Sequence, residues 1–110
     1  MYTEPYTSIG CWKVTSNTTI PTLEGKIPLL DEPYYKRSYP IRKCFEAAKS
    51  LGYDTFALHS GGLCASSKHA KLTYQKHGES TDCLPYGKGG PQSYDVYEMK
   101  KGAFFILSAH

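Results

Sequence analysis

The side chains in this sequence with the clearest chemical potential are aromatic. Ten tyrosines and one tryptophan occur among 110 residues. Their flat apolar rings are surfaces on which sugar rings can stack, and polar groups beside them can pair with sugar hydroxyls. These are the residue types that a carbohydrate-binding surface needs. The candidate ligand-binding residues are Trp12, Tyr34, Tyr35, His59, Tyr86, Gln92, Tyr94 and Asp95.

Some of these rings are better placed than others to meet a ligand. Tyr86, Gln92 and Tyr94 surround a loop rich in glycine and proline, and loops lie at protein surfaces. We therefore expect these three side chains to be exposed. For Trp12, as for Tyr53 and Tyr97 outside the candidate set, burial in the core is the favoured interpretation, although Trp12 is retained as a candidate.

The sequence gives little support to catalysis or to a metal site. The four cysteines include no C-x-x-C pair, which argues against zinc. A catalytic cysteine with a histidine base is a weaker alternative to disulfides, and no G-x-S-x-G motif occurs. Asp31 with Glu32, or Asp82 with Asp95, could hold Ca²⁺, but solvated acids are favoured because no calcium-loop motif is present. We predict a protein without enzymatic activity or cofactor.

Length, charge and cysteine content limit the class of protein. A chain of 110 residues forms one domain with a modest core, which crosslinks would help to stabilise. Four cysteines suit a secreted, extracellular protein. The net charge of +3 is spread along the chain, so nucleic-acid binding is not expected. No apolar run approaches a membrane span. Because the N-terminus lacks signal-peptide features, a secreted protein would be represented here in its mature form.

One stretch of the chain predicts a helix followed by a strand. Five apolar residues recur at helical spacing and predict one buried face. Ser38 can cap this helix, Pro40 suits its first turn, and Gly52 suits the left-handed position after its last turn. Residues 53–58 follow as a mostly buried strand. The apolar helix residues are Ile41, Cys44, Phe45, Ala48 and Leu51.

Other segments predict a small sheet. Residues 9–14 and 94–99 are typical of strands, and residues 68–77 of a short helix that ends at Gly78. Residues 20–40 contain too many prolines for regular structure and predict an ordered loop or short strands. Asn17 lies in a glycosylation sequon, whose use stays open.

An apolar segment near the C-terminal end of the sequence suggests an alternative function. Residues 103–107 are apolar on both faces, and they predict a central strand, an edge that pairs with another chain, or an aggregating tail. The expected division is a flexible lead-in over residues 1–8, a binding module over 9–99, and a strand or tail over 100–110. The alternative to a glycan binder is a structural or adhesion protein that binds other proteins or forms homo-oligomers through this apolar strand.

An ordered series of short motifs resembles a known family. It is an extracellular module repeated in secreted and membrane-anchored proteins of cnidarians, molluscs and other marine invertebrates. The resemblance spans about residues 9–98. The module is itself distantly similar to the WSC domain and to the PAN or apple fold. The motifs are Gly10-Cys11-Trp12-Lys13, Ile20-Pro21-Thr22-Leu23-Glu24-Gly25-Lys26, Pro28-Leu29-Leu30-Asp31, Lys43-Cys44, Ala47-Ala48, Gly52-Tyr53, Phe56-Ala57, Gly61-Gly62, Cys64-Ala65-Ser66-Ser67, Lys88-Gly89-Gly90-Pro91 and Asp95-Val96-Tyr97.

The resemblance implies a non-catalytic binding module whose partners are glycans or extracellular matrix components. Its expected fold is of the α+β class, a small antiparallel sheet with one main helix packed on it and a second short helix. Four cysteines allow three pairings. Packing of the helix on the following strand favours Cys44 with Cys64, and the PAN-like comparison favours the same pair. Cys11 would then pair with Cys83.

Overall fold

The predicted α+β fold is confirmed by a computed structural model that describes residues 4–14 and 20–100. The strands are β1 (Tyr6–Lys13), β2 (Thr55–His59), β3 (Leu63–Ser66) and β4 (Ser93–Met99). They form a four-stranded antiparallel sheet of order β1-β4-β2-β3. The main helix is α1 (Pro40–Ser50), and the short helix is α2 (Ala70–Thr73). Two 3-10 turns cover Pro28–Leu30 and Tyr34–Lys36.

The N-cap of helix α1 lies one residue later than predicted. Pro40 occupies the first helical position, so the N-cap is Tyr39, whose backbone is left-handed and whose side chain makes no capping hydrogen bond. The prediction of a Ser38 cap is therefore wrong. The Ser38 hydroxyl instead accepts a hydrogen bond from Lys43 Nζ, 3.1 Å away. Gly52 has a φ of 80°, as its predicted left-handed role requires.

The buried face of α1 packs on one face of the sheet. Cys44, Phe45 and Ala48 are buried as the helical spacing predicts. Leu51 is exposed, because the helix ends at Ser50 and Leu51 follows it as the C-cap. Beneath the helix, the rings of Phe56 and Tyr97 from neighbouring strands stack with centroids 5.2 Å apart.

The opposite face of the sheet carries a second apolar cluster. Alternate strand residues point to opposite faces, so Ala57, Tyr94 and Val96 lie away from α1. Ile20 and Ala70 cover them, and Trp12 packs at their margin. The sheet is thus buried on both faces, which explains the continuous apolar character of β2.

Some element boundaries differ from expectation. β1 begins at Tyr6, three residues before the predicted strand, because Tyr6 pairs with Met99 and packs on Phe45. β3 was not predicted as a strand, and α2 is shorter than the helix expected over residues 68–77. Residues 103–107 and Asn17 lie outside the described residues, so the expectations about the apolar tail and the sequon stay predictions.

Both predicted disulfides are present. Cys44–Cys64 joins α1 to β3 with a Cα–Cα distance of 5.4 Å, and both cysteines are buried. Cys11–Cys83 joins β1 to the loop that precedes β4, with a Cα–Cα distance of 6.1 Å. Its cysteines are only half-buried. The second disulfide therefore tethers a surface loop to the edge of the sheet.

Arg37 fixes the proline-rich segment that was predicted as an ordered loop. Its side chain is buried and forms an ion pair with Glu24. Arg37 Nη2 also donates to the backbone carbonyls of Leu30 and Glu32, 3.0 and 2.8 Å away. Glu24 Oε2 accepts the backbone N–H of Cys64 at 2.8 Å. One buried pair thus joins the turns of residues 20–37 to strand β3.

Candidate functional site

Three loop segments converge beside the end of the sheet where His59 pairs with Tyr94. They are residues 34–39, residues 59–62 between β2 and β3, and residues 84–89. Gly62 packs so closely on the first segment that a β-carbon there would lie 3.0 Å from the Tyr34 carbonyl oxygen. Ser60 donates its backbone N–H to the Gly90 carbonyl, 3.1 Å away, just beyond the third segment. We call the exposed part of these segments the three-loop surface.

Residues 84–89 form a loop whose position is fixed by hydrogen bonds. Leu84 N–H donates to the Gly89 carbonyl at 3.2 Å and closes the loop. Gly89 N–H donates to Asp95 Oδ2 at 2.8 Å. A β-carbon on Gly89 would lie 2.2 Å from the Leu58 carbonyl oxygen, so only glycine allows this close approach to β2. The predicted site residue Asp95 therefore supports the loop from within.

An open pocket of about 310 Å³ lies in the three-loop surface. Gly61 contributes from the turn between β2 and β3, and the other lining residues come from the loop over residues 84–89. The lining is mainly apolar. Its one charged side chain belongs to Lys88, which forms no ion pair or hydrogen bond with the described residues. Apolar walls with few polar groups are typical of small-molecule sites.

Three tyrosine rings of this surface are strongly exposed. The exposed fractions are 69% for Tyr35, 78% for Tyr39 and 85% for Tyr86. Tyr39 and Tyr86 also have left-handed backbones, with φ of 51° and 81°. A left-handed conformation costs a non-glycine residue about 1–2 kcal/mol. Neither burial nor backbone preference accounts for tyrosine at these two positions, and such outliers are frequent at functional sites.

The three-loop surface contains several of the predicted site residues. Tyr34 and Tyr35 lie in its first segment, with ring centroids 5.4 Å apart and their planes nearly perpendicular. His59 begins the second segment, and Tyr86 lies in the third. The fold thus brings together residues that are far apart in sequence.

His59 links this surface to the second apolar cluster. Its ring packs edge-on against Tyr94 with centroids 5.2 Å apart, and its Nδ1 lies 3.0 Å from Ser60 Oγ. Burial lowers the pKa of the imidazole below its ordinary value, although Glu24 opposes this effect. His59 is therefore neutral at neutral pH, with one ring nitrogen able to donate and the other to accept.

Tyr94 is not an exposed ligand-binding residue. It is fully buried, and its hydroxyl donates to the backbone carbonyl of Ile20, 3.0 Å away. The expectation that it is exposed is wrong, because Tyr94 points from β4 into the second apolar cluster rather than toward the glycine-rich loop. Burial raises the pKa of its phenol.

Two further candidates lie away from the three-loop surface. Trp12 is half-buried on the opposite face of the sheet, where Tyr74 packs edge-on against it at 5.1 Å. Its indole N–H donates to the Ile9 carbonyl at 2.9 Å. Gln92 is exposed in the turn before β4, and its backbone carbonyl accepts from Val14 N–H at 2.8 Å. Neither residue lines the pocket that contains Tyr86.

Sequence reasoning missed three residues of this surface, Tyr39, Leu84 and Lys88. The signal for Tyr39 is its position directly before Pro40, since proline at the first helical position makes the preceding residue the N-cap. A tyrosine in place of the usual small polar N-cap residue is unusual there. Leu84 and Lys88 carry no comparable signal, because their role depends on Gly61, which is distant in sequence.

Within residues 4–14 and 20–100, no group of three or more histidine, cysteine, aspartate or glutamate residues could hold a metal ion. Among the described helices, none is both long enough and apolar enough to span a membrane. The sequence matches no model of a known protein family and no curated protein.

Proposed function

We propose that this protein is a secreted, non-catalytic binding module that holds a carbohydrate on its three-loop surface. Its place of action would be a cell surface or the extracellular matrix. The observation that carries the proposal is that two exposed, left-handed tyrosines, Tyr39 and Tyr86, lie on loops that both adjoin the turn of residues 59–62. Tyr86 also lines the pocket.

The proposed contact relies on stacking between a sugar and a tyrosine ring. The axial C–H groups of a sugar form an apolar face that packs on an aromatic ring, and the hydroxyls around it need donors and acceptors. Beside the pocket, Tyr86 offers both a ring face and a phenolic hydroxyl. Ser60 and the neutral His59 supply further polar groups next to Gly61.

The rigidity of the loops supports the same proposal. Residues 84–89 are held by the Asp95 carboxylate, by the Tyr97 hydroxyl and, one residue earlier, by the Cys11–Cys83 disulfide. A surface that is already ordered loses little entropy when it binds. Two disulfides also fit an oxidising, extracellular environment.

A glycan array with the full chain tests this function. We expect binding to a limited set of glycans and a loss of about tenfold or more in affinity for Tyr86→Ala, because the stacking ring is removed. The matched control is Leu72→Ala, an equally exposed apolar residue on α2. A clean negative array, beside a lectin that binds its own glycans, would refute the proposal.

A further inference from the structure

The three segments of the three-loop surface have an unusual charge distribution. Residues 34–39, 59–62 and 84–89 contain no aspartate or glutamate. They contain Lys36, Arg37, His59 and Lys88. Arg37 is buried and neutralised by Glu24, so it offers no charge to a ligand. The charge available at neutral pH therefore comes from the two lysines.

The lysines have no internal partner among the described residues. Lys36 is exposed and Lys88 half-buried, and neither forms an ion pair there. The Asp95 carboxylate contacts the loop by accepting the Gly89 N–H and forms no ion pair with either lysine. Asp82 precedes the loop and is exposed, but it forms no ion pair with Lys88. The Lys88 ammonium at the pocket therefore has no ion-pair partner among the described residues.

We infer that the pocket selects an anionic sugar, with a carboxylate or a sulfate ester at Lys88 and the sugar ring against Tyr86. This inference rests on the proposed carbohydrate-binding function and adds the class of ligand. A cation at the wall of an apolar pocket can form a charge-assisted hydrogen bond with an anionic group. Partial desolvation of the pocket makes this bond stronger than it would be in water. Lys36 adds longer-range attraction that salt screens.

Titration by NMR of the full chain with four probes tests the inference. The probes are glucose, glucuronate, a sulfated glucose and inorganic sulfate. We expect at least one of the two anionic sugars to bind about threefold or more tightly than glucose, which is the scale of a partly exposed charge pair. Whichever of glucuronate and the sulfated glucose binds more tightly shows whether the pocket prefers a carboxylate or a sulfate ester.

Charge-matched variants locate the effect. Lys88→Met should remove the preference, so that glucose and the anionic sugars bind with similar affinity. Lys71→Met removes the same charge from exposed α2 and should retain the preference. Raising the salt concentration should weaken the anionic sugars more than glucose.

The possible failures are distinguishable. Equal binding of glucose and both anionic sugars would overturn this inference and leave the proposed function intact. Inorganic sulfate that binds as tightly as the sulfated glucose would also overturn it, because the sugar ring would then contribute nothing. Absence of sugar binding in the array and in these titrations would overturn both proposals.

Discussion

Tyr97 donates its phenolic hydrogen bond to the backbone carbonyl of Gly87, 2.7 Å away. A side chain of the sheet core thereby holds the loop that presents Tyr86. Burial, together with the nearby Asp95 carboxylate, raises the pKa of Tyr97 to about 12. The hydroxyl therefore stays protonated, and able to donate, across the neutral and mildly alkaline range.

Tyr97→Phe tests this tie between core and loop. The ring should still stack on Phe56, while the hydrogen bond is lost, so the free energy of unfolding should fall by about 1 kcal/mol. Urea denaturation measures this change. Amide hydrogen exchange should accelerate in residues 84–89 and remain unchanged in β2. Equal acceleration in both segments would contradict a local role for the bond.

Replacing Tyr86 by glycine should separate stability from binding. Glycine accepts the left-handed backbone at this position, so Tyr86→Gly should raise the free energy of unfolding, by up to about 1 kcal/mol. The same variant should lose glycan binding. Thermal denaturation with a parallel binding assay checks both effects. Tyr35→Gly is the control, since Tyr35 is exposed without a positive φ and should only be destabilised.

The two disulfides should differ in their reactivity and in their effect on stability. A mild reductant should open the half-buried Cys11–Cys83 bond first, because Cys44 and Cys64 are fully buried. Mass spectrometry after alkylation identifies the order. In the chain-entropy model, the double variants should lose about 4 kcal/mol for Cys11→Ala/Cys83→Ala and about 3 kcal/mol for Cys44→Ala/Cys64→Ala. Prior opening of the Cys44–Cys64 bond in the native protein would contradict the packing described here.

The buried ion pair of Arg37 and Glu24 should contribute strongly to the order of residues 20–37. Arg37→Met leaves Glu24 without its partner and should cost about 2–4 kcal/mol of unfolding free energy. Glu24→Gln keeps an acceptor for the Cys64 N–H but leaves the fully buried Arg37 charge without a carboxylate, so its cost should be of the same order. A double-mutant cycle measured in urea should give a coupling of about 1–3 kcal/mol. Additive losses would show that the two side chains do not act as a pair.

Protonation of His59 should lower the free energy of unfolding at acidic pH. Its folded-state pKa lies below the ordinary value of 6.5, so the unfolded chain binds protons more readily. The stability from neutral His59 is present above about pH 6.5 and declines as the pH falls through the lower folded-state pKa. His59→Gln should reduce the difference in unfolding free energy between about pH 7 and pH 5. His69→Gln, at an exposed position, should leave that difference unchanged.

Local patterns were sufficient to predict much of the scaffold. Helical spacing located α1, and the cysteines on that helix and beyond the following strand indicated the Cys44–Cys64 pair. Strand β3 escaped prediction because it has only four residues and directly follows a glycine turn. The Ser38 cap failed because the position of the N-cap is set by Pro40 rather than by side-chain preference.

The candidate site was less predictable, because it depends on contacts between distant segments. Tyr94 is buried, and its hydroxyl donates to the carbonyl of Ile20, 74 residues earlier. No local sequence pattern predicts a contact between residues so far apart. The contact of Gly62 with Tyr34 and the pocket shared by Gly61 and Tyr86 exist only in the tertiary structure. Sequence composition could identify tyrosine as the relevant residue type, but only the tertiary contacts separate exposed rings from core rings.

The pairing of β1 with β4 also determines at which end of the sheet a tether could be attached. The backbone N–H of Lys100 donates to the carbonyl of Pro5, 2.8 Å away, so the first and last described segments leave the sheet side by side. They do so at the Tyr6–Met99 end, whereas the turn of residues 59–62 follows the His59–Tyr94 end. A tether attached through either segment would therefore leave the three-loop surface at the end of the sheet away from the point of attachment.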